Sequence, residues 1–428
     1  MDDWENGGFG IYIHWPFCAA KCPYCDFNSH VRKSVDQSRW LSAIRLELKN
    51  NAIRTKGRTV NTIFFGGGTP SLMEPETVAG IIKEIAKLWV LALDIEISLE
   101  ANPTSVEAQK FSDFRKAGIN RISMGIQSLR NDDLKALGRM HSVNEARKAF
   151  DIAKDNFERV SFDLIYARQG QSKFDWEIEL KEASSMAVDH LSLYQLTIED
   201  GTRFGDLYER GNLKGMPNDS LAADMYDITQ EVTLQNDMPA YEISNHAIEG
   251  AESRHNLIYW RYGDYIGVGP GAHGRISENG NKIATTTIEN PENWLRGVEL
   301  NGTSTIDDEV INHIDQASEY LMMSLRLIEG VDMERYKKIS GVALDNKLID
   351  KNIENGLITV INNNLIATQR GRIILNTLIK DLLICVVILK AVRRWRQEII
   401  GNLFLRIDFL LGAIIFYKKL FLLLAQPD

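Results

Sequence analysis

Residues 10–27 read GIYIHWPFCAAKCPYCDF, and this stretch decides the fold class because a predicted buried strand runs directly into a cysteine loop. The loop holds three of the chain's four cysteines, Cys18, Cys22 and Cys25, in the spacing C-x3-C-x2-C. Structural zinc sites of this type usually add a second C-x2-C pair, and none is present here. Three thiolates on one loop favour a [4Fe–4S] cluster with one open iron; a three-ligand zinc site and chance clustering are the alternatives.

An open iron of this kind has a definite chemical use. The amino and carboxylate groups of S-adenosylmethionine (SAM) can chelate it, and an electron from the cluster can then cleave the sulfonium to a 5′-deoxyadenosyl radical. The protein has to orient SAM and exclude water. Tyr24, an aromatic residue directly before the third cysteine, strengthens this interpretation.

Composition excludes several other classes of protein. The 428 residues are 44% hydrophobic, which is enough for one large domain and a smaller one. They carry 58 acidic against 49 basic residues, so the net charge of −9 argues against a nucleic-acid partner. The acidic start, MDDWENGG, predicts neither a signal nor a transit peptide. The clustered cysteines, with only Cys385 elsewhere, suit a reducing cytoplasm better than a disulfide framework.

The first half of the chain alternates short β-branched or aromatic runs with longer amphipathic stretches. Strands are predicted at Gly10–His14, Thr62–Phe65, Asp94–Leu99, Arg121–Ile126, Val160–Tyr166 and His190–Thr197. Helices are predicted between them at Arg39–Arg54, Glu76–Leu88, Ser105–Ala117, Asn144–Lys154 and Phe174–Ala187. Six such β-α alternations predict an α/β fold with a parallel sheet, either open or closed into a barrel.

Polar residues cluster where the predicted strands end. The run GGGTP at 66–70 follows the second strand, Glu100 follows the third, and Gln127 the fourth. Asp163 lies within the fifth strand and Thr197 closes the sixth. Because parallel barrels place active sites at the carboxyl ends of their strands, these residues predict one rim around one site. Polar βα-loops without function, which any α/β protein has, are the alternative.

Four segments are distinguished along the chain. They are a barrel over residues 1–200, a more irregular extension over 201–305, a small helical domain with a hairpin over 306–380, and a tail over 381–428. The extension contains HNLIYW at 255–260 and GVGPGAHG at 267–274. The third segment resembles a winged helix, and its acidic residues favour a packing or docking role over DNA binding. The apolar-basic tail lacks a run of about 20 apolar residues, so it is interpreted either as an interfacial segment with weak membrane association or as the product of a displaced reading frame.

The motifs at 11–18 (IYIHWPFC), 22–27 (CPYCDF) and 66–70 (GGGTP) resemble the anaerobic coproporphyrinogen III oxidase family of radical SAM proteins, over about residues 9 to 380. The resemblance implies a partial (β/α)6 radical SAM barrel with a smaller C-terminal α+β domain. Dehydrogenases of that family carry a further cysteine where Phe27 stands, and a long N-terminal extension. The signature HNxxYW, at His255, Asn256, Tyr259 and Trp260, is instead similar to the heme-chaperone branch.

The resemblance also implies a set of SAM-binding residues. These are Tyr12, Gly67, Gly68, Thr69, Glu100, Gln127, Arg139, Asp163 and Thr197. Within this set, Glu100 would bind the ribose hydroxyls, Arg139 the SAM carboxylate, and Thr197 the adenine. One departure stands at 167–171, where the chain has ARQGQ and the family usually has Gly-Leu-Pro-Gly-Gln.

Heme iron needs an axial donor, commonly an imidazole, and the signature makes His255 the candidate. A hydrogen-bonded histidine of the core is the alternative. Three hypotheses follow: a heme chaperone that passes heme to acceptor proteins, an oxygen-independent coproporphyrinogen III dehydrogenase, and a degenerate scaffold without cluster chemistry. The sequence names neither the electron donor nor the acceptor, and it leaves open whether the protein is an enzyme.

Overall fold

The computed structural model describes residues 2–383, and the chain divides into two compact units on either side of the junction between Ile311 and Asn312. The strands of the first unit are β1 Phe9–Trp15, β2 Phe17–Cys18, β3 His30–Val31, β4 Thr59–Gly67, β5 Val90–Ala101, β6 Arg121–Gln127, β7 Arg159–Tyr166, β8 His190–Gln195, β9 Asn245–Ala247, β10 Asp264–Val268, β11 His273–Glu278, β12 Asn281–Thr287 and β13 Thr305–Ile311. Its α-helices are α1 Gln37–Arg54, α2 Pro75–Leu88, α3 Ser105–Ala108, α4 Phe111–Ala117, α5 Asn131–Ala136, α6 Val143–Asn156, α7 Lys173–Met186, α8 Arg203–Glu209, α9 Asp219–Gln235, α10 Arg254–Trp260 and α11 Pro291–Asn301.

Eleven of these strands form one sheet, in the order β13-β12-β11-β10-β1-β4-β5-β6-β7-β8-β9. Strands β1, β4, β5, β6, β7 and β8 run parallel to one another and correspond to the six predicted strands. The predicted α/β class with a mostly parallel sheet is therefore confirmed. Helical crossovers between neighbouring parallel strands bring all six carboxyl ends to the same edge.

The segment 201–305 is not irregular, contrary to the sequence expectation. Its strand β10 continues the parallel sheet beside β1, and β11, β12 and β13 follow in antiparallel order, while β9 pairs with β8 at the other end. These strands are short and contain glycines, so they show no clean alternation of apolar and polar residues. The predicted helix over Ser105–Ala117 is likewise two helices, α3 and α4.

The two faces of β1 have different partners. Ile11, Ile13 and Trp15 are fully buried, and the Trp15 ring packs edge-on against Trp40 of α1 at 5.8 Å. The alternate residue Tyr12 points to the opposite face, called here the site face, where it contacts Phe64 of β4 at 6.2 Å. Because successive side chains of a strand point to opposite faces, β1 packs against the hydrophobic core on one face and contributes to the site on the other.

The outer edge of the sheet is β13, which pairs with β12 on one side only within the described residues. Its central residues, Asp307, Asp308 and Glu309, are exposed. Asp308 accepts a hydrogen bond from Arg54 of α1 at 2.8 Å. Charges of this kind discourage a sheet edge from pairing with another chain.

The second unit combines helices with a small antiparallel sheet, as the winged-helix-like prediction expects. Its elements are α12 His313–Ser324, β14 Val331–Asp332, α13 Met333–Ser340, α14 Asn346–Glu354, β15 Ile358–Ile361, β16 Asn364–Ala367 and α15 Gln369–Ile373. Leu321, Tyr336 and Leu365 are buried in its core. Of the predicted tail, residues 384–428 lie outside the described residues. No helix in the described part of the chain combines the length and the apolar character needed to cross a membrane.

Candidate cluster and cofactor site

The cysteine loop leaves the carboxyl end of β1 and returns through a two-residue parallel pairing of β2 with β3. Cys18 is buried, Cys22 and Cys25 are partly exposed, and all three are free thiols. Thr69 donates a hydrogen bond to the Cys18 sulfur at 3.5 Å, and Arg139 Nη1 donates one to the Cys22 sulfur at 3.4 Å. The loop is thus held by two donors that stabilise sulfur charge, one just after β4 and one in the connection between α5 and α6.

The chemistry of this donor set fits a cluster. Burial raises the pKa of the Cys18 and Cys25 thiols, and the charge of Cys22 adds to both shifts. In the described residues, no three His, Cys, Asp or Glu side chains converge as ligands of a single metal ion. Each iron of a cubane takes its own thiolate, so three cysteines on one loop can hold three of its four irons.

The glycines of GGGTP let β4 approach the cysteine loop closely. Gly67 has a left-handed φ of +109°, and a side chain there would come within 2.6 Å of the His14 ring. A Cβ on Gly68 would lie 3.0 Å from the Cys18 sulfur. Backbone at this strand end can therefore reach a ligand beside the cysteines, which larger residues would prevent.

Two carboxyl groups, Glu100 and Asp163, interact across the site face. Desolvation by burial and the charge of Asp163 raise the pKa of Glu100 to about 8, although Gly67 N–H donates to Glu100 Oε2 at 3.2 Å. Burial also raises the pKa of Asp163 to about 6, despite a hydrogen bond from Ser123. The hydrogen bonds within the protein do not offset the cost of burying charge on these two carboxyl groups. The pair therefore favours a ligand that brings hydroxyl donors or positive charge.

Gln127 and Arg139 complete this edge. Gln127 has a φ of +72°, and its buried Oε1 has no hydrogen-bond partner in the described residues, so it offers an open acceptor to a ligand. Arg139 Nη2 donates to Gly125 O at 2.7 Å and to Asn102 Oδ1 at 2.6 Å. Because Nη1 is bonded to Cys22, much of the Arg139 fork is committed to the protein and positions the cysteine loop.

A cavity of about 530 Å³ opens beside the cysteine loop. Of the predicted SAM residues, Tyr12, Gly67 and Glu100 line it. Asp163 interacts with Glu100 of that group, whereas Gly68, Thr69 and Arg139 lie against the cysteine loop at Cys18 or Cys22. Thr197 follows β8 by two residues, and no described contact connects it to the others. At 167–171, where the sequence differs from the usual family pattern, Ala167 adopts a left-handed φ of +57°.

His255 is enclosed on the site face, toward the amino ends of the strands. Its Nδ1 shares a hydrogen bond with Thr62 at 2.6 Å, and its Nε2 shares one with Tyr259 at 2.7 Å. Burial lowers the pKa of His255 to about 3, so its ring is neutral. The ring stacks on Phe64 at 5.0 Å. Both nitrogens are thus engaged, and in this structure neither is open to an iron.

Asn28 and His30 are absent from the sequence prediction. Asn28 O accepts a hydrogen bond from His14 Nε2 at 2.9 Å, and Asn28 Oδ1 lies 3.0 Å from His30 Nε2. Both residues line the cavity. Their only sequence signal is their position just after the third cysteine, which does not reveal that the loop folds back onto β1.

Two family models match the chain: that of the radical SAM superfamily over residues 12–182, and that of the HemN C-terminal domain over residues 311–374. Together with the cysteine loop at the strand ends, they define a radical SAM protein, a class that implies a [4Fe–4S] cluster and SAM.

Relatives narrow this class further. The heme chaperone HemW of Escherichia coli (strain K12) is 35% identical over 86% of this chain and 97% of that protein. HemW of Haemophilus influenzae is 36% identical, over 86% and 96% of the two chains. The mitochondrial radical S-adenosyl methionine domain-containing protein 1 of Danio rerio is 34% identical, over 87% and 86%. The chain belongs to the HemW family.

Among solved structures, the coproporphyrinogen III oxidase HemN of Escherichia coli matches with a TM-score of 0.73. The match covers 89% of this chain and 90% of that one, at 20% sequence identity. It shows the fold and confirms the predicted radical SAM architecture.

Proposed function

We propose that this protein is a heme chaperone, which binds heme beside a [4Fe–4S] cluster and passes it to acceptor proteins. The observation that carries the proposal is Phe27, two residues after Cys25, where the resembling dehydrogenases have a further cysteine. Phe27 is 57% exposed and lines the cavity beside the cysteine loop. An exposed aromatic ring at that point offers a stacking surface to a flat apolar ligand. The relatives named heme chaperone support the same function.

In this proposal, Cys18, Cys22 and Cys25 hold the cluster, which when bound can supply an electron to SAM. Glu100 accepts hydrogen bonds from the ribose hydroxyls, and the open acceptor of Gln127 takes a further donor of SAM. Backbone groups of 67–69 face the methionine end, where the glycines leave room. Arg139 stabilises the thiolate of Cys22 and keeps the cysteine loop in place.

The proposal extends to domain roles and location. Residues 1–200 contain the SAM residues and Phe27, residues 201–305 carry the HNxxYW signature, and residues 306–380 form a docking domain. The clustered free thiols suit a reducing compartment, which supports the cytoplasm as the location. The acceptor protein and the electron donor have to be identified by experiment.

The test is a paired assay on the anaerobically reconstituted full chain. We expect one [4Fe–4S] cluster per chain, a Soret shift on addition of heme, and no conversion of coproporphyrinogen III to protoporphyrinogen IX. Conversion without heme binding would establish the dehydrogenase instead. Absence of cluster, heme binding and conversion together would leave the degenerate scaffold.

A cysteine substitution tests the assignment of the cluster ligands separately. Cys22→Ala should remove the cluster absorbance, because the variant loses one of three thiolate ligands. Cys385→Ala is the matched control and should retain the cluster. A normal cluster in Cys22→Ala would contradict the assignment.

A further inference from the structure

Asn102 directly follows β5 and bonds to the side chains that donate to two of the cysteine sulfurs. Its Oδ1 accepts a hydrogen bond from Arg139 Nη2 at 2.6 Å, and its Nδ2 donates to Thr69 Oγ1 at 3.3 Å. Arg139 in turn donates to the Cys22 sulfur, and Thr69 donates to the Cys18 sulfur. One amide side chain, which is not among the predicted cluster or SAM residues, therefore connects the donors of two cysteines.

The directions of the hydrogen bonds around Asn102 follow from the chemistry of its partners. A guanidinium group can only donate, so the atom that faces Arg139 has to be the amide oxygen. The amide nitrogen then faces Thr69 and donates to its hydroxyl oxygen. That hydroxyl keeps its single hydrogen for another acceptor, and the Cys18 sulfur lies 3.5 Å away. Asn102 thus directs the hydrogen of Thr69 to the sulfur.

The backbone of Asn102 is held in place through Glu107 of helix α3. The N–H of Asn102 donates to Glu107 Oε2 at 3.0 Å, and the Ser71 hydroxyl donates to the same oxygen. Thr104, which caps α3, donates to Glu107 Oε1 at 3.3 Å. The following residue, Pro103, further restricts the backbone of Asn102 to extended conformations. Few conformations are left to Asn102, so its amide can act as a rigid link between the two sulfur donors.

Hydrogen bonds to cysteine sulfurs affect how readily a cluster accepts an electron. The added electron makes the cluster and its thiolates more negative, and donors to the sulfurs stabilise this extra charge. Such donors, like nearby positive charge, therefore raise the reduction potential of an iron–sulfur cluster. Thr69 supplies a donor to Cys18, and Arg139 supplies both a donor and a positive charge to Cys22.

We propose that Asn102 is a positioning residue that raises the reduction potential of the [4Fe–4S] cluster, because it holds Thr69 on the Cys18 sulfur and Arg139 on the Cys22 sulfur. It acts through these two side chains and is not itself a ligand. The inference rests on the cluster of the proposed function and does not depend on where heme binds.

The experiment is a controlled-potential titration of the anaerobically reconstituted full chain without SAM, in which an electrode supplies the electron. The electron paramagnetic resonance signal of the reduced cluster is followed. Asn102→Leu, which removes both side-chain hydrogen bonds at similar volume, should shift the midpoint potential to more negative values. Thr69→Val should shift it in the same direction, because it removes the donor to Cys18. The double variant should shift the potential by less than the sum of the two shifts, since Asn102 acts in part through Thr69.

Asn120→Leu is the matched control for the loss of a hydrogen-bonded asparagine. The Asn120 side chain accepts from Ile97 N and donates to Ile95 O, both at 2.7 Å, and both partners lie within β5. This variant should lose stability but keep the midpoint potential of the wild type. A shift as large as that of Asn102→Leu would show that the potential follows general loss of structure, and it would overturn the proposal.

The remaining outcomes separate this proposal from the proposed function. If the wild type takes up no cluster, the cluster of the proposed function fails, and the role of Asn102 fails with it. If the wild type and Asn102→Leu hold clusters of equal midpoint potential, only the role of Asn102 is overturned. If Asn102→Leu takes up no cluster, Asn102→Ser replaces it, because the shorter side chain cannot reach both partners. An unchanged potential in that variant overturns the proposal as well.

Discussion

At the scale of single residues, the carboxyl pair Glu100 and Asp163 shows how a binding site reduces stability before its ligand arrives. Glu100 has a pKa of about 8 in the folded protein, because burial and Asp163 disfavour its charge. In the unfolded chain its pKa is near the ordinary value of about 4.3. Its contribution to stability is therefore fully present below that ordinary value and is lost as the pH rises through about 8.

Glu100→Gln should remove this loss, because glutamine cannot ionise and can still accept the Gly67 hydrogen bond. Between pH 6 and 9, the free energy of unfolding of the ligand-free wild type should fall relative to that of the variant. SAM affinity of the wild type should rise with pH up to about 8, since the carboxylate accepts the ribose hydroxyls, and the variant should bind SAM more weakly. Denaturant unfolding and calorimetry measure the two effects, and parallel unfolding curves would refute the explanation.

Ala167 is a second residue whose native conformation lowers the stability of the folded protein. It holds a φ of +57°, a conformation that costs a non-glycine residue about 1 kcal/mol or more. The adjoining Arg168 is buried and pairs with Asp133 at 2.7 Å and with Glu179 at 2.5 Å, which keeps the turn in place without the family's proline.

Ala167→Gly should stabilise the protein by roughly 0.5–1 kcal/mol, because relief of the strained φ outweighs the added freedom of the unfolded chain. Ala223→Gly, within helix α9, is the matched control and should destabilise by about 1 kcal/mol. Chemical unfolding provides both values. Equal destabilisation of the two variants would show that the φ at 167 carries no strain.

At the scale of elements, the glycine-rich run at 267–274 connects β10 to β11. Its glycines are required by the narrow space around them as well as by their backbone angles. Gly269→Ala should destabilise by about 1–3 kcal/mol from the φ alone, and further because the new Cβ meets the His14 carbonyl. Gly57→Ala has a similar positive φ of +83° with nothing within 4 Å, so it measures the angle without the collision. Gly269→Ala should therefore lower the unfolding free energy by more than Gly57→Ala does. Equal values would contradict the packing of the run on β1.

The six parallel strands β1 and β4 to β8 could be predicted because buried parallel strands read as continuous apolar runs, with polar residues such as Glu100 where they end. Strands β9 to β13 were not predicted. β10 gains its stability from β1, a partner distant in sequence. β11 and β12 form a hairpin whose Asn279-Gly280 turn is a local signal that the prediction missed. The same limit applies to the site. The spacing of the cysteines is local and indicated a cluster, whereas the engagement of His255 by Thr62 depends on a contact across 193 residues.

At the scale of the whole molecule, the end of the described fold can be tested by truncation. Leu382 and Leu383 belong to the second unit, and their side chains are buried at 2% and 4% exposure. A chain ending at Leu383 should keep the cluster and the unfolding free energy of the full chain, whereas one ending at Lys380 should lose about 2–5 kcal/mol from that unit. Cluster absorbance and thermal unfolding measure the effect. Loss of the cluster on removing 384–428 would show that the tail contributes to the site.

The acidic edge strand β13 has a consequence for the protein in concentrated solution. Carboxylates at Asp307, Asp308 and Glu309 keep two copies of this open edge from joining into a continuous intermolecular sheet. Replacing these carboxylates by amides removes that repulsion while the backbone donors and acceptors of the edge stay available. A chain with Asp307→Asn and Glu309→Gln should therefore become turbid at a lower protein concentration than the wild type, whereas Asp307→Lys with Glu309→Lys should stay clear. Equal turbidity of all three chains would contradict this role of the edge. The charge on one strand thus sets how far the protein can be concentrated without loss.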